Sequence, residues 1–187
     1  APIVLVSGPE AVLADRAITA VRDALKAEVA DLEVHDIDAA SYAAGELFTL
    51  ASPSLFAEPR LIRVDAVEKC SDAFLEDAKR YAEQPADDTT LVLRHAGGQR
   101  GKALLDLVRG GAGGGIEVVC AEVKKDQDRL VFAQAEFRRL GAQVSPGALR
   151  MLVAAYATGL GDLAGACAQL VSDVGTRISE EEVPRAT

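Results

Sequence analysis

The sequence has no tryptophan, one methionine, two histidines and only eight aromatic residues, five Phe and three Tyr, in 187 positions. His35 and His95 leave little material for a metal centre or a catalytic triad. The three cysteines, Cys70, Cys120 and Cys167, lie about fifty residues apart with no CxxC pair. That spacing excludes a zinc cluster or disulfide framework and points to reduced thiols. Basic residues are few: 20 Lys+Arg stand against 29 Asp+Glu, a net charge of −9. A free-standing nucleic-acid binder needs a basic patch to replace phosphate counterions, so that class is excluded. No apolar run approaches the ~20 residues that span a bilayer, and no charged segment leads into an apolar one as in a signal peptide. An apolar fraction of 49% excludes a disordered chain. A cytoplasmic, non-catalytic protein of one large or two small domains is expected.

The apolar residues that are present alternate between two periods. Ile3-Val-Leu-Val6 is a continuous run ended by Ser7-Gly8-Pro9, as in a buried parallel strand. Leu13, Ala17, Val21 and Leu25 then form one stripe of a helix. Leu32 to Asp36, Arg60 to Val64, Thr90 to Arg94 and Ile116 to Cys120 read as four further strands. Between them lie a weaker helix over Ser41 to Leu50, a helix capped by Ser71, and a short helix over Lys102 to Arg109. Strands alternating with helices predict an α/β domain over 1–124 built on a five-stranded parallel sheet.

Beyond Lys124-Lys125 no strand is expected. Asp126 is placed to cap a helix bearing Leu130, Ala133 and Phe137, and Ser145-Pro146 reads as a cap followed by proline at the first helical position. Asp162 opens a third helix that Gly175 ends. Residues 125–187 are therefore predicted to be a small three-helix domain. Ser179-Glu-Glu-Glu182 has the form of a capping box, so a further helix is expected to start there and the chain to be part of a longer one.

A parallel sheet invites a search for phosphate loops, because the helix N-terminus after the first strand is a natural anion site. A GxxxxGK[ST] loop counted from Gly8 would need glycine at 13, lysine at 14 and Ser/Thr at 15; Leu13, Ala14 and Asp15 occupy those positions. The position is right and the chemistry is missing. A second glycine-rich stretch, Gly97-Gly-Gln-Arg-Gly-Lys102, is off register by one and has Ala103 where Ser/Thr would stand. It reads as a surface turn, or as an anion contact through Arg100 and Lys102.

Other chemistry is thin. Asp36 and Asp38 sit where a Rossmann protein holds ribose, but no GxGxxG follows the first strand. His35 and Cys120 read as strand residues, and no serine stands in a GxSxG elbow. The charges of Glu180 to Glu182 suit helix capping better than a metal. No cofactor or metal site is expected.

One local signal remains. In Ala51-Ser-Pro-Ser-Leu-Phe-Ala-Glu-Pro59 two prolines limit regular structure, yet Leu55 and Phe56 stand side by side. They either pack back on the sheet edge or form an apolar plug for a partner's pocket.

Together these segments resemble a known family. Val4 to Glu10 with Leu13 and Arg16-Ala-Ile18, Ser54-Leu-Phe56 with Arg60-Leu-Ile62, and His95 to Lys102 are similar in order and spacing to the delta subunits of bacterial DNA polymerase III clamp loaders. Gly161-Asp-Leu163 through Ile178 to Val183 resembles that family's second domain. The resemblance implies an AAA+ type α/β domain, a small three-helix domain, and a collar domain that lies outside this sequence and joins the other loader subunits. It implies a non-hydrolysing subunit of the polymerase (nucleotidyltransferase) holoenzyme. Such a subunit binds the ring-shaped β sliding clamp, opens one interface and lets the clamp be placed on primed DNA in replication. DNA would be met only within the assembly, and no membrane is involved. The family's clamp-binding motif ends in Leu-Phe and maps to Ser54, Leu55 and Phe56; it often begins with Gln, where this sequence has Ala51. Two other readings stay open: a nucleotide-binding NTPase with an unconventional loop, and a small-molecule α/β enzyme using Asp36 or Asp38.

Overall fold

The computed structural model describes residues 2–183 and divides the chain into two compact units, Ala1–Ala121 and Glu122–Thr187. In the first, strands β1 (Ile3–Ser7), β2 (Glu33–Asp38), β3 (Arg60–Asp65), β4 (Thr89–His95) and β5 (Ile116–Val119) form one sheet in the order β2-β3-β4-β1-β5. Every pairing in it is parallel. Central strands β1 and β4 carry the continuous apolar runs, because both their faces are covered. Edge strands β2 and β5 are the more exposed and more polar.

Helices α1 (Ala11–Glu28), α2 (Glu46–Leu50), α3 (Asp72–Glu83) and α4 (Lys102–Arg109) follow the first four strands in turn. On one sheet face Leu5, Ile62 and Leu93 pack with Phe74, Tyr81 and Leu104. On the other, Val4, Val6 and Val92 pack with Ala14 and the predicted α1 stripe of Leu13, Val21 and Leu25. Ser71 caps α3 as expected, its Oγ accepting the Phe74 N–H at 3.2 Å.

The weak helix expected over Ser41 to Leu50 is broken in two. The Asp38 carboxylate accepts the Ala40 N–H and the Ser41 hydroxyl, which closes a single 3-10 turn at Ala39–Ser41. Tyr42 then turns inward, Gly45 takes a positive φ of 86°, and only Glu46–Leu50 is α-helical. Local side-chain acceptors have outcompeted the helix.

The second unit holds α5 (Asp126–Arg139), α6 (Pro146–Ala155) and α7 (Leu160–Val174), with Phe132, Phe137, Leu152, Leu163 and Cys167 buried. Ser145 caps α6 through the Ala148 N–H with Pro146 at the first position, as read from the sequence. Two starts differ. Lys125 holds the cap position of α5, leaving Asp126 inside the first turn beside Arg129; and α7 begins at Leu160 after Gly159, with Asp162 already helical. A strand pair was not expected here, yet β6 (Gln143–Val144) and β7 (Arg177–Ile178) form a parallel ribbon. Two-residue strands are too short to show a period in sequence. At Ser179 the Glu182 carboxylate accepts both the backbone N–H and the hydroxyl, which pulls its carboxyl below the usual range. Residues 180–182 form a turn, and the rest of the helix expected there lies outside the described residues.

Candidate functional site

The loop between α2 and β3 carries the two most exposed large apolar side chains among the described residues: Leu55 is 98% exposed and Phe56 81%. They do not pack back on the sheet. The Ala57 N–H donates to the Ser54 carbonyl at 3.3 Å, so Leu55 and Phe56 are the two central residues of a tight turn. Ser54 also accepts the Glu58 N–H through its Oγ at 3.2 Å. Ala57 closes the turn at φ 49°, a left-handed conformation that costs a non-glycine residue about 1–2 kcal/mol. Displaying both side chains forgoes about 1.5–3 kcal/mol of burial each. The pair projects from a strained, proline-flanked turn.

The base of this loop is held firmly. Arg60, the first residue of β3, is only 7% exposed. Its Nη1 donates to the carbonyls of Leu50 and, at 2.9 Å, Ser52. On the N-terminal side of α2, Tyr42 Oη donates to the buried Asp77 carboxylate at 2.7 Å and accepts the Leu47 N–H at 2.9 Å. The same carboxylate accepts the Gly45 N–H at 2.8 Å. Burial first, and the Asp77 hydrogen bond second, push the Tyr42 hydroxyl up to about 12. The Arg80 guanidinium lies 5.0 Å over the Phe48 ring and braces α2 from outside.

Where an α/β sheet of this kind takes a phosphate, a groove of about 470 Å³ lined by Ser7, Gly8 and His95 stays open, but the groups of its loop are bonded within the fold. Strand β1 neighbours β4 and β5, and the loop after it is knitted to both: Gly8 N–H donates to His95 O at 3.0 Å and Glu10 N–H to Cys120 O at 3.1 Å. Pro9 between them has no N–H to offer. Arg94 Nη1 donates to the carbonyls of Gly8 at 2.8 Å and His95 at 3.0 Å, tying that loop to β4. A Cβ on Gly8, whose φ is 114°, would meet Cys120 O at 2.3 Å. Ala14, at the Walker lysine position, is fully buried in the core.

The Gly97 to Lys102 stretch is an ordered turn around His95. That ring accepts the Gly97 N–H on Nδ1, so Nε2 carries the hydrogen and donates to Arg100 O at 2.7 Å. Arg100 is itself occupied, donating to Cys70 O at 2.9 Å and Asp72 at 2.7 Å, and the Asp72 bond raises its pKa further. Lys102 is exposed at the start of α4 and lines a groove of about 470 Å³ with Gly98, Arg109 and Glu117.

The remaining candidates have structural occupations. Asp36 faces Arg63 across β2 and β3 in a two-bond ion pair at 2.7 and 2.9 Å. The Ala40 N–H and then the Ser41 hydroxyl hold the Asp38 carboxyl below its ordinary value. Both aspartates border a groove of about 700 Å³ beside α1. His35 pairs with Glu33 at 2.7 Å on the sheet edge. Cys120 is buried and its thiol pushed up by desolvation. No cluster of His, Cys, Asp and Glu able to hold a metal is found among the described residues. Arg60, Arg94 and Asp77 are the residues that sequence reasoning missed. For Asp77 a signal existed: it lies three residues after Phe74 and four before Tyr81, on the buried face of α3.

No family model matches the sequence, and no curated protein does. Among solved structures the chain is similar to the DNA clamp loader delta protein (YqeN) of Bacillus subtilis, with a TM-score of 0.71, 16% identity, and coverage of 100% of this chain and 59% of that one. It is also similar to Thermotoga maritima RuvB, the Holliday junction branch migration motor, with a TM-score of 0.55, 15% identity, and coverage of 97% and 59%. A point mutant of RuvB from the same organism gives a TM-score of 0.57 at 13% identity, covering 96% and 59%. The chain spans 59% of the length of these structures. At such identities the likeness is one of fold, and the fold is AAA+-like α/β.

Proposed function

We propose that the chain is a clamp-loader subunit of the delta type, which docks on the β sliding clamp through Leu55 and Phe56 and opens one interface of the ring for loading onto primed DNA. The observation that carries this reading is the display of an adjacent Leu-Phe pair at 98% and 81% exposure on a turn with an anchored base. An apolar pair of this kind fills a pocket as a hot spot. The fold shared with the Bacillus delta protein supports the same reading. The clamp is opened by binding, without ATP chemistry in this subunit: Leu13, Ala14 and Asp15 replace the residues a phosphate loop needs, and the Gly8 and Glu10 N–H groups are bonded within the fold. In a cytoplasmic loader assembly with the other subunits, Lys102 is the residue of the glycine-rich turn left to meet a DNA phosphate, because Arg100 is held by Asp72. No helix among the described residues is long and apolar enough to cross a membrane.

The deciding experiment is calorimetric titration of the sliding clamp with the wild type and with Leu55→Ala/Phe56→Ala. A loss of several kcal/mol in binding is expected. Equal affinity of the two proteins would overturn the proposal.

A further inference from the structure

We infer that Arg60 is a positioning residue that pre-forms the Leu55–Phe56 turn for docking; the inference rests on the docking role proposed above. Arg60 is where the loop re-enters the sheet, and its side chain reaches back to where the loop leaves α2, at the carbonyls of Leu50 and Ser52. One residue thus closes the loop into a ring at its neck. Its backbone is fixed independently, with its N–H on Asp88 O at 2.9 Å and its place in register between Glu33 and Thr89.

The arrangement is a poor device for stability alone. A guanidinium taken out of water is costly unless all its donors are matched. Here Nε is buried with no hydrogen-bond partner among the described residues, and a Glu33 carboxylate oxygen lies 3.9 Å away. A water or a hydroxyl could satisfy the two carbonyls at lower cost. What the arginine adds is geometry: a fixed distance between the two ends of a loop whose tip bears the apolar pair. Loop closure and side-chain ordering are otherwise charged against binding, so an ordered tip binds more tightly than a slack one with the same residues.

The test compares wild type, Arg60→Met, Arg60→Lys and a linear peptide of residues 51–59, each titrated against the sliding clamp, with amide hydrogen exchange on the free proteins. Arg60→Met, with Leu55 and Phe56 intact, should weaken binding about tenfold toward the peptide's value, and Arg60→Lys should recover part of the loss. In Arg60→Met the amides of Ala57 and Glu58 should exchange faster while those of α3 and β4 keep their protection. A purely structural role would instead slacken the whole domain and leave the ratio of protein to peptide affinity unchanged. Wild-type affinity together with wild-type exchange at Ala57 and Glu58 in both variants overturns the inference. Should Arg60→Met fail to fold, Arg60→Lys carries the same comparison. Failure of the docking role itself is read separately: Leu55→Ala/Phe56→Ala then binds as wild type, while the exchange data still decide whether Arg60 orders the turn.

Discussion

Tyr42 Oη donates a 2.7 Å hydrogen bond to the Asp77 carboxylate, and this buried pair fixes the start of the short helix that leads to the apolar tip. Asp77 takes the Gly45 N–H with the same oxygen, and Tyr42 takes the Leu47 N–H. Helix α3 therefore grips α2 by polar bonds at one end while Arg60 grips it at the other.

Tyr42→Phe should destabilise the first unit by about 1–3 kcal/mol, because it leaves Asp77 short of a donor and Leu47 short of an acceptor. The Tyr42 hydroxyl is held up to about 12 by burial and by Asp77, above its ordinary value of 10.0. The folded state thus keeps a proton that the unfolded chain loses first. The bond's contribution is complete below pH 10.0 and disappears as pH rises through about 12. Urea midpoints measured from pH 8 upward should fall more steeply for wild type than for Tyr42→Phe in that window; parallel curves would refute the assignment.

Gly8→Ala places a methyl group 2.3 Å from Cys120 O on a backbone at φ 114°. Overpacking and left-handed strain together should cost about 3 kcal/mol or more. Ala14→Lys, which would restore the Walker lysine, should destabilise by several kcal/mol because it buries a charge in the core. It should confer no ATP binding, since Leu13 and Asp15 still stand where such a loop needs glycine and Ser/Thr. Tight ATP binding by that variant, measured by calorimetry, would contradict this reading of the loop.

Glu117 ties β5 to α4 and β1, accepting from Arg109 at 2.9 Å and from the Ser7 hydroxyl at 2.6 Å. Arg109 first and Ser7 second hold its carboxyl below the ordinary 4.5. An unfolded chain takes up this proton sooner on acidification. The stabilisation is therefore present above pH 4.5 and is lost as pH falls through the lower folded value. Glu117→Gln should be less stable than wild type at pH 7, with the gap closing under acid. A gap that stays constant to pH 3 would sink this account.

Leu55→Ala/Phe56→Ala should leave thermal stability within about 0.5 kcal/mol of wild type, since neither side chain contributes to the core. A large loss of stability would show that the pair packs in solution.

Much of the fold was readable from local pattern. The strands β1 and β4 announced themselves by contiguous apolar runs, and α4 has the expected bounds, Lys102–Arg109. What stayed hidden depends on register and on partners distant in sequence. Arg94 grips the loop after β1 because it stands opposite Val6 in the β1–β4 pairing. Arg60 clamps α2 because the chain returns to that point after a loop. Leu55 and Phe56 were visible as candidates but their direction was not, since an adjacent apolar pair suits a sheet edge as well as a turn tip. Their exposure at the tip of a turn closed by the left-handed Ala57 decides it.

The same display sets where the molecule is open to attack. A protease that cleaves after bulky apolar residues finds Leu55 and Phe56 projecting from an otherwise closed domain, which makes this tip the expected first nick. A partner seated on the turn would shield that bond. The rate of a single cut at Phe56 would then serve as a built-in gauge of occupancy, readable without any label on the protein.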